Sequence, residues 1–117
     1  HRILRPEGLL LIDQRNYDYI LQNREEILKG NFRYSKKFVY CGETVTSYPI
    51  AISKNSVTIE CNDSITGKKP NFAVYPFKGE ELKEHLTKAG FVHVEKFCDY
   101  ESKENYACDF IQWVARK

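Results

Sequence analysis

An arginine placed shortly after an apolar segment is the sequence feature best suited to bind a small charged substrate. Arg15 follows residues 9–13, whose continuous apolar run is typical of a parallel strand buried on both faces of an α/β sheet. Open α/β sheets bind ligands beyond the carboxyl ends of such strands. A guanidinium can hold a carboxylate through two parallel hydrogen bonds, so Arg15 is a candidate carboxylate ligand. From position alone, a structural ion pair with Asp13 or Asp18 is the alternative interpretation.

The histidines and cysteines do not follow a pattern typical of metal sites or covalent catalysis. His85 and His93 have no Cys or acidic residue at ligand spacing, so we predict surface or boundary positions for both. The four cysteines, none in a C-x-x-C pair, are Cys41, Cys61, Cys98 and Cys108. Without a secretory signal pattern we expect reduced thiols packed in strands, rather than zinc ligands or disulfides. No Ser/His/Asp or Cys/His set indicates a covalent nucleophile.

The composition is that of one globular domain. The 117 residues include 18 Lys+Arg and 16 Asp+Glu, and 42% are hydrophobic. The basic residues are scattered, whereas nucleic-acid-binding proteins concentrate them on one face, so we expect no nucleic-acid partner. No apolar run approaches the ~18 residues of a membrane span, and we expect a cytoplasmic protein without membrane contact. The sequence contains no Met, which leads us to expect a piece of a longer chain.

The hydropathy pattern divides the chain into three parts: residues 1–30, 31–77 and 78–117. In the first part, the strand at 9–13 is followed by a predicted helix over 17–29 that ends at Gly30. The last part begins with a helix whose apolar positions are Leu82, Leu86 and Ala89, and Gly90 closes it. Two further strands are predicted at 91–97 and 109–115.

The middle part alternates β-branched and polar residues, which predicts an antiparallel meander of three or four strands. These strands are expected at residues 37–41, 44–52, 57–61 and 71–77. Residues 53–56 and 66–70 have the composition of the connecting turns.

Several segments together resemble the second half of a class I methyltransferase that uses S-adenosylmethionine. Arg5-Pro6-Glu7-Gly8 before the first strand resembles the lead-in to that family's fifth strand, and the last helix with its two strands resembles the sixth and seventh strands. The sharper match is residues 11–18, Leu-Ile-Asp-Gln-Arg-Asn-Tyr-Asp, which resemble the Ile-Asp-His-Arg-Asn-Tyr-Asp stretch of glycine and glycine/sarcosine N-methyltransferases. The antiparallel insert with its Tyr-Pro pair, and the terminal Asp-Phe-x-Gln-x-Val-Ala-Arg-Lys pattern, resemble the microbial glycine/sarcosine enzymes. Gln14 departs from the His of the animal enzymes.

The resemblance implies an α/β fold, seen as α+β in this piece. It would be the C-terminal half of a Rossmann-like class I methyltransferase sheet with an inserted antiparallel β meander. The implied reaction is methyl transfer from S-adenosylmethionine to the nitrogen of glycine and sarcosine, continuing in some members to dimethylglycine and the osmoprotectant betaine. The family's cofactor site lies mainly in the first half, and no G-x-G-x-x-G occurs here. We therefore expect the main cofactor site outside this chain, and the chain alone to be inactive.

The resemblance also implies three substrate-binding residues: Arg15, Asn16 and Tyr75. The matching arginine binds the substrate carboxylate, and Asn16 belongs to the same motif and would orient Arg15. Tyr75 matches a tyrosine that lines the methyl-transfer pocket, where an aromatic face stabilises a sulfonium or ammonium by about 0.5–2 kcal/mol. A cross-strand aromatic pair is the alternative for Tyr75. Methyl transfer is a direct displacement, so we expect alignment rather than an acid–base residue to drive it.

Other interpretations stay open at this point. Tyr17 belongs to the motif but is equally consistent with a packing role. Tyr40 and Tyr48 could line the same pocket as Tyr75, although no residue of the family matches them. The protein could instead be a methyltransferase of the same layout with another acceptor, or a non-enzymatic regulatory module that binds betaine or a similar ammonium ligand. Finally, the strand at 9–13 would lack one neighbouring strand, and an exposed apolar edge favours self-association.

Overall fold

The computed structural model describes residues 4–30, 44–101 and 108–117. Its elements are β1 (Leu9–Arg15), α1 (Tyr17–Gln22), α2 (Arg24–Leu28), β2 (Val45–Ile52), β3 (Val57–Asp63), β4 (Asn71–Val74), α3 (Glu81–Lys88), β5 (Val92–Cys98) and β6 (Phe110–Arg116). They form two compact units. The first unit comprises the described residues up to Tyr19 and from Phe77 onward, and the second comprises those from Ile20 to Pro76. The described part of the chain is thus a mixed α/β structure with two small antiparallel sheets.

The sheet of the first unit has the strand order β1-β6-β5, and β6 runs antiparallel to both neighbours. In the ladder between β1 and β6, Leu9 pairs with Arg116 and Arg15 pairs with Phe110. Because β6 opposes both of its neighbours, β1 and β5 point in the same direction. The strands predicted at 91–97 and 109–115 are confirmed, each starting and ending one residue later.

Helix α3 packs against one face of this sheet. Leu82 and Leu86 are buried in an apolar cluster with Trp113 and Ala115 of β6. The predicted helix is therefore confirmed, although Ala89 is its exposed C-cap rather than part of the apolar face.

The C-terminus of α3 is closed by a Schellman motif. The N–H of Phe91 donates to the carbonyl of Leu86 at 3.1 Å, and the N–H of Gly90 donates to Thr87 at 2.9 Å. Gly90 has a φ of 93°, a left-handed conformation that favours glycine and explains the helix stop seen in the sequence.

Strand β1 is not buried on both faces, so that prediction is wrong. Leu10 and Ile12 pack against the apolar cluster, whereas Leu9 and Leu11 are 58% and 61% exposed. Its described neighbour is the antiparallel β6, not a parallel strand. Side chains of a strand alternate between the two faces of a sheet, and in the described part of this unit the apolar cluster covers one face only.

The helix predicted over 17–29 forms as two short helices, α1 and α2. The break is at Asn23, whose φ of −103° and ψ of 18° depart from helical values. Asparagine has a weak helix propensity, which permits the interruption. The predicted stop is confirmed at Gly30, which has a φ of 78°.

The second unit contains the predicted meander, with β3 between β2 and β4 and every pairing antiparallel. Ser53 closes the predicted hairpin turn, because its hydroxyl accepts a hydrogen bond from the N–H of Ser56 at 3.1 Å. Pro49 lies at a register shift in β2, where the missing N–H of proline is tolerated. Three strands of the meander are described, and the strand predicted at 37–41 lies outside the described residues.

No helix in the described ranges is long and apolar enough to cross a membrane.

Candidate functional site

Arg15 is the last residue of β1, so the strand continues two residues beyond the predicted end at Asp13. Its register partner is Phe110, the first residue of β6. The Cζ atom of Arg15 lies 4.4 Å from the centroid of the Phe110 ring, a distance at which a guanidinium is attracted to an aromatic face. The Arg15 side chain is half-buried, and its Nη1 atom is shielded from solvent.

The backbone beneath the Phe110 ring is fixed by Asp99. The N–H of Phe110 donates to Asp99 Oδ1 at 3.0 Å, and the N–H of Asp99 donates back to the Phe110 carbonyl at 3.0 Å. The second carboxylate oxygen of Asp99 accepts a hydrogen bond from the N–H of Asp109 at 3.2 Å. Since Asp99 itself has a φ of 49°, these bonds hold it in a conformation that non-glycine residues rarely adopt.

Asn16 is buried and joins three segments of the first unit. Its Oδ1 accepts a hydrogen bond from the N–H of Tyr19 at 3.2 Å, which makes Asn16 the N-cap of α1. Its Nδ2 donates to the carbonyl of Cys108 at 2.9 Å, and its own N–H donates to the carbonyl of Asp109 at 3.0 Å. These bonds fix the main chain directly after Arg15, so an influence of Asn16 on that side chain would act through the backbone.

The two carboxylates considered as ion-pair partners of Arg15 accept hydrogen bonds from other segments of the same unit. Asp13 accepts hydrogen bonds from Tyr100 Oη and from Gln112 Nε2, both at 2.8 Å. Asp18 Oδ2 accepts a 2.7 Å hydrogen bond from the N–H of Gly79. Both carboxylates therefore serve to hold segments of the fold together.

Two ionisable groups next to this site have raised pKa values. Burial raises the pKa of the Tyr17 phenol, and the nearby positive charge of Arg15 partly opposes the shift. Burial raises the pKa of the Cys108 thiol to about 12, and the neighbouring Cys98 and Asp99 add to this shift. A hydrogen bond from Asn16 lowers the pKa and partly opposes the shift. Cys108 therefore stays protonated at neutral pH and acts as a packing group rather than a nucleophile.

The candidate tyrosines outside this site belong to the second unit. Tyr75 follows β4, is 45% exposed, and precedes the fully buried Pro76. Tyr48 lies opposite Glu60 in the ladder between β2 and β3, and its Oη donates a 2.6 Å hydrogen bond to that carboxylate. This bond raises the pKa of Tyr48. Tyr40 lies outside the described residues.

The histidines are at the surface, as predicted. His85 is exposed on α3 and lies edge-on to Phe77 with ring centroids 5.8 Å apart. His93 is exposed at the register shift in β5. Within residues 4–30, 44–101 and 108–117, no group of three His, Cys, Asp or Glu side chains is placed to hold a metal ion.

The cysteines in the described ranges are free thiols. Cys61 and Cys98 lie in strands, as expected, whereas Cys108 lies just before β6. Cys41 lies outside the described residues.

The sequence alone does not indicate that Phe110 and Asp99 are neighbours of Arg15. Phe110 belongs to a predicted strand, but its pairing with β1 depends on a register between distant segments that local hydropathy does not encode. The one available signal was the terminal Asp-Phe pair within the pattern that resembles the glycine/sarcosine enzymes. Asp99 follows a predicted strand and carries no distinguishing pattern of its own.

Comparison with known proteins relates the whole chain to one group of enzymes. The chain is 30% identical to the glycine/sarcosine N-methyltransferase of Halorhodospira halochloris over 97% of its length, and 26% identical to the one of Parasynechococcus marenigrum over 100%. It is also 27% identical, over its full length, to the glycine/sarcosine/dimethylglycine N-methyltransferase of Actinopolyspora halophila. No family model matches the chain.

The matched region is only part of these relatives. The chain covers 40%, 39% and 20% of their respective lengths. These matches confirm the relationship indicated by residues 11–18. The whole chain is therefore similar to the C-terminal part of enzymes named glycine/sarcosine N-methyltransferases.

Proposed function

We propose that the full-length protein carrying this chain is an S-adenosylmethionine-dependent N-methyltransferase that methylates glycine and sarcosine. The observation that carries the proposal is the similarity of the whole chain to enzymes named for these two acceptors. Successive methylation would lead towards dimethylglycine and betaine. Since the chain corresponds to two fifths or less of the first relatives, it would supply one part of the active site rather than all of it.

In this proposal Arg15 holds the carboxylate of the acceptor. The guanidinium lies at the end of β1, half-buried and stacked on Phe110, where a carboxylate would form charge-assisted hydrogen bonds in partly desolvated surroundings. Holding the carboxylate fixes the distance and direction of the amino nitrogen, which must approach the methyl carbon in line. Asn16 contributes by fixing the main chain after Arg15.

The methyl donor would be held mainly by residues outside this chain. Bound S-adenosylmethionine supplies an electrophilic methyl group on a positively charged sulfonium. The sequence has no glycine-rich loop of the G-x-G-x-x-G type, so we assign no residue of the chain to the main cofactor site. Tyr75 is the residue whose chemistry suits the reacting centre, because its exposed aromatic face can stabilise a sulfonium or a methylated ammonium.

We propose that β1, β5 and β6 are the fifth, sixth and seventh strands of a Rossmann-like sheet in the full-length protein. Support comes from the directions of the strands, since β1 and β5 run the same way on either side of β6, as two strands of a parallel sheet would.

The acceptor assay that tests the function uses the full-length protein with S-adenosylmethionine. Glycine, sarcosine, dimethylglycine and an amine without a carboxylate are offered, and formation of the demethylated cofactor is measured. We expect turnover of glycine and sarcosine and none of the amine. Turnover of a different acceptor alone would contradict the proposal and assign a methyltransferase of the same layout with another substrate.

A second measurement separates an enzyme from a binding module. Calorimetric titration with betaine and with S-adenosylmethionine is expected to show cofactor binding by the full-length protein. Betaine binding without cofactor binding or turnover would contradict the proposal in favour of a regulatory module.

We also propose that the 117-residue chain by itself pairs with a second copy through β1. In the described residues of its unit, β1 has one strand neighbour, β6, and Leu9 and Leu11 expose apolar surface beside the other edge. An unpaired apolar edge is a template for another strand.

A further inference from the structure

We propose that Phe110 is a positioning residue, whose ring face orients the Arg15 guanidinium for carboxylate binding and thereby sets the affinity for the amino-acid acceptor. This inference rests on the proposed role of Arg15.

The ring and the guanidinium lie on the face of the sheet away from the apolar cluster. Ile111 and Trp113 point into that cluster, and because side chains alternate along a strand, Phe110 points to the other face. Phe110 is nevertheless only 5% exposed, and the Arg15 Cζ atom lies 4.4 Å from its ring centroid. Because the Phe110 ring lies on the opposite face, it contributes little to the apolar cluster around α3. It is instead in contact with the cationic side chain of Arg15.

The backbone of Phe110 is fixed by hydrogen bonds and by strand pairing. Asp99 binds both the N–H and the carbonyl of Phe110, and the register of β6 against β1 places Phe110 directly opposite Arg15. On the other side, the Asn16 contacts fix the main chain that follows Arg15. Hydrogen bonds from other residues therefore fix the backbone at both Phe110 and Arg15.

A stacked guanidinium is better prepared for a carboxylate than a mobile one. Arginine loses rotamer freedom when it binds, and a ring that already confines the guanidinium removes part of that entropic penalty. Carboxylates bind a guanidinium through N–H groups in its own plane, so contact of a ring with the guanidinium face is compatible with carboxylate binding. Loss of the ring should therefore weaken acceptor binding while leaving the methyl donor unaffected.

The test measures steady-state kinetics of the full-length protein with three substitutions. Phe110→Leu removes the ring face, Phe110→Tyr retains it, and Phe91→Leu is the matched control, since Phe91 is also 5% exposed but packs in the apolar cluster around α3. We expect Phe110→Leu to raise the KM for sarcosine by about 3- to 30-fold, the range of a desolvated cation–π contact. The KM for S-adenosylmethionine should stay within about twofold, and Phe110→Tyr should restore the sarcosine KM to within about threefold of wild type.

Arg15→Ala, alone and combined with Phe110→Leu, separates failure of this inference from failure of the proposed function. If Phe110 acts through Arg15, adding Phe110→Leu to Arg15→Ala changes the sarcosine KM no further. An unchanged KM in Arg15→Ala alone would overturn the proposed role of Arg15, and this inference with it. If Arg15→Ala raises the KM but Phe110→Leu behaves like Phe91→Leu, only the role of Phe110 is overturned. Additive effects in the double variant would overturn it as well.

Discussion

The side-chain amide of Asn16 donates a 2.9 Å hydrogen bond to the main-chain carbonyl of Cys108, 92 residues further along the sequence. Asn16 follows Arg15, and Cys108 lies two residues before Phe110. The bond therefore joins the two chain segments that carry the stacked guanidinium and ring. Asn16 also caps α1 by accepting a hydrogen bond from the N–H of Tyr19. These two bonds make Asn16 a structural support of the candidate carboxylate site.

Replacing Asn16 by Ala should destabilise the first unit by about 1.5–5 kcal/mol. The change removes the cap of α1, which costs about 0.5–2 kcal/mol. It also leaves the buried carbonyl of Cys108 without its amide donor, which costs about 1–3 kcal/mol. Chemical denaturation measures the change in the free energy of unfolding. Asn55→Ala in the exposed turn between β2 and β3 is the control and should alter it by less than about 0.5 kcal/mol. Equal effects of the two substitutions would contradict the structural role.

The Cys108 thiol should make the protein less stable at alkaline pH. Its pKa rises from 9.0 to about 12 in the native state, mainly through burial. Between these two values the unfolded chain releases a proton that the native state retains, so stability falls as pH rises through this window. Urea denaturation from pH 8 to about pH 11 should show a shallower decline in Cys108→Ala than in wild type. Ile111→Val, a buried change without a titrating group, should keep the wild-type slope, and identical slopes in all three proteins would contradict the prediction.

The exposed face of β1 should determine whether the chain self-associates. Leu11→Lys places a charge beside the open edge of the strand, where charged side chains oppose pairing with another chain. Light scattering of the 117-residue chain at micromolar concentration should show a dimer for wild type and a monomer for the variant. Ile65→Lys, at a 76% exposed position in a turn of the second unit, is the control and should remain dimeric. A monomeric wild type would refute pairing through β1.

The pattern of local elements could be predicted from the sequence, but their pairing could not. Helix α3 can be predicted from the spacing of Leu82 and Leu86 and from Gly90, because helix periodicity and a left-handed helix stop are local properties. The apolar run of β1 predicts a strand but not its neighbour, since a continuous apolar segment does not specify which other segment of the chain pairs with it. Its antiparallel pairing with β6 is a tertiary property of segments at opposite ends of the chain.

The candidate site follows the same division. Arg15 and Asn16 can be recognised from the sequence because they belong to one short motif at the end of a predicted strand. Phe110 and Asp99 cannot, because their relation to Arg15 depends on the register of β1 against β6 and on a turn held at positive φ. The capping role of Asn16 could have been expected from its type alone, since asparagine is a preferred N-cap and stands directly before α1.

Tyr75 should influence the reacting centre through its aromatic face. In the full-length protein we expect Tyr75→Leu to lower kcat/KM for sarcosine by about 3- to 30-fold, and Tyr75→Phe to retain most activity because the ring remains. Phe72→Leu is the matched control, since Phe72 of β4 is 49% exposed and Tyr75 is 45% exposed. Steady-state kinetics with both substrates varied provides the measurement. A Tyr75→Leu enzyme as active as Phe72→Leu would remove Tyr75 from the site.

The most direct test of the account is the sarcosine KM of the full-length protein with Arg15→Ala. Loss of a desolvated charge pair corresponds to a KM increase of about 30-fold or more, with the KM for S-adenosylmethionine nearly unchanged. Arg116→Ala is the control, because Arg116 is an exposed arginine of the same sheet that pairs with Glu7 at 3.2 Å. We predict a wild-type sarcosine KM for Arg116→Ala and a steep increase for Arg15→Ala. A sarcosine KM in Arg15→Ala no higher than in Arg116→Ala would contradict the assignment of Arg15 as the carboxylate ligand.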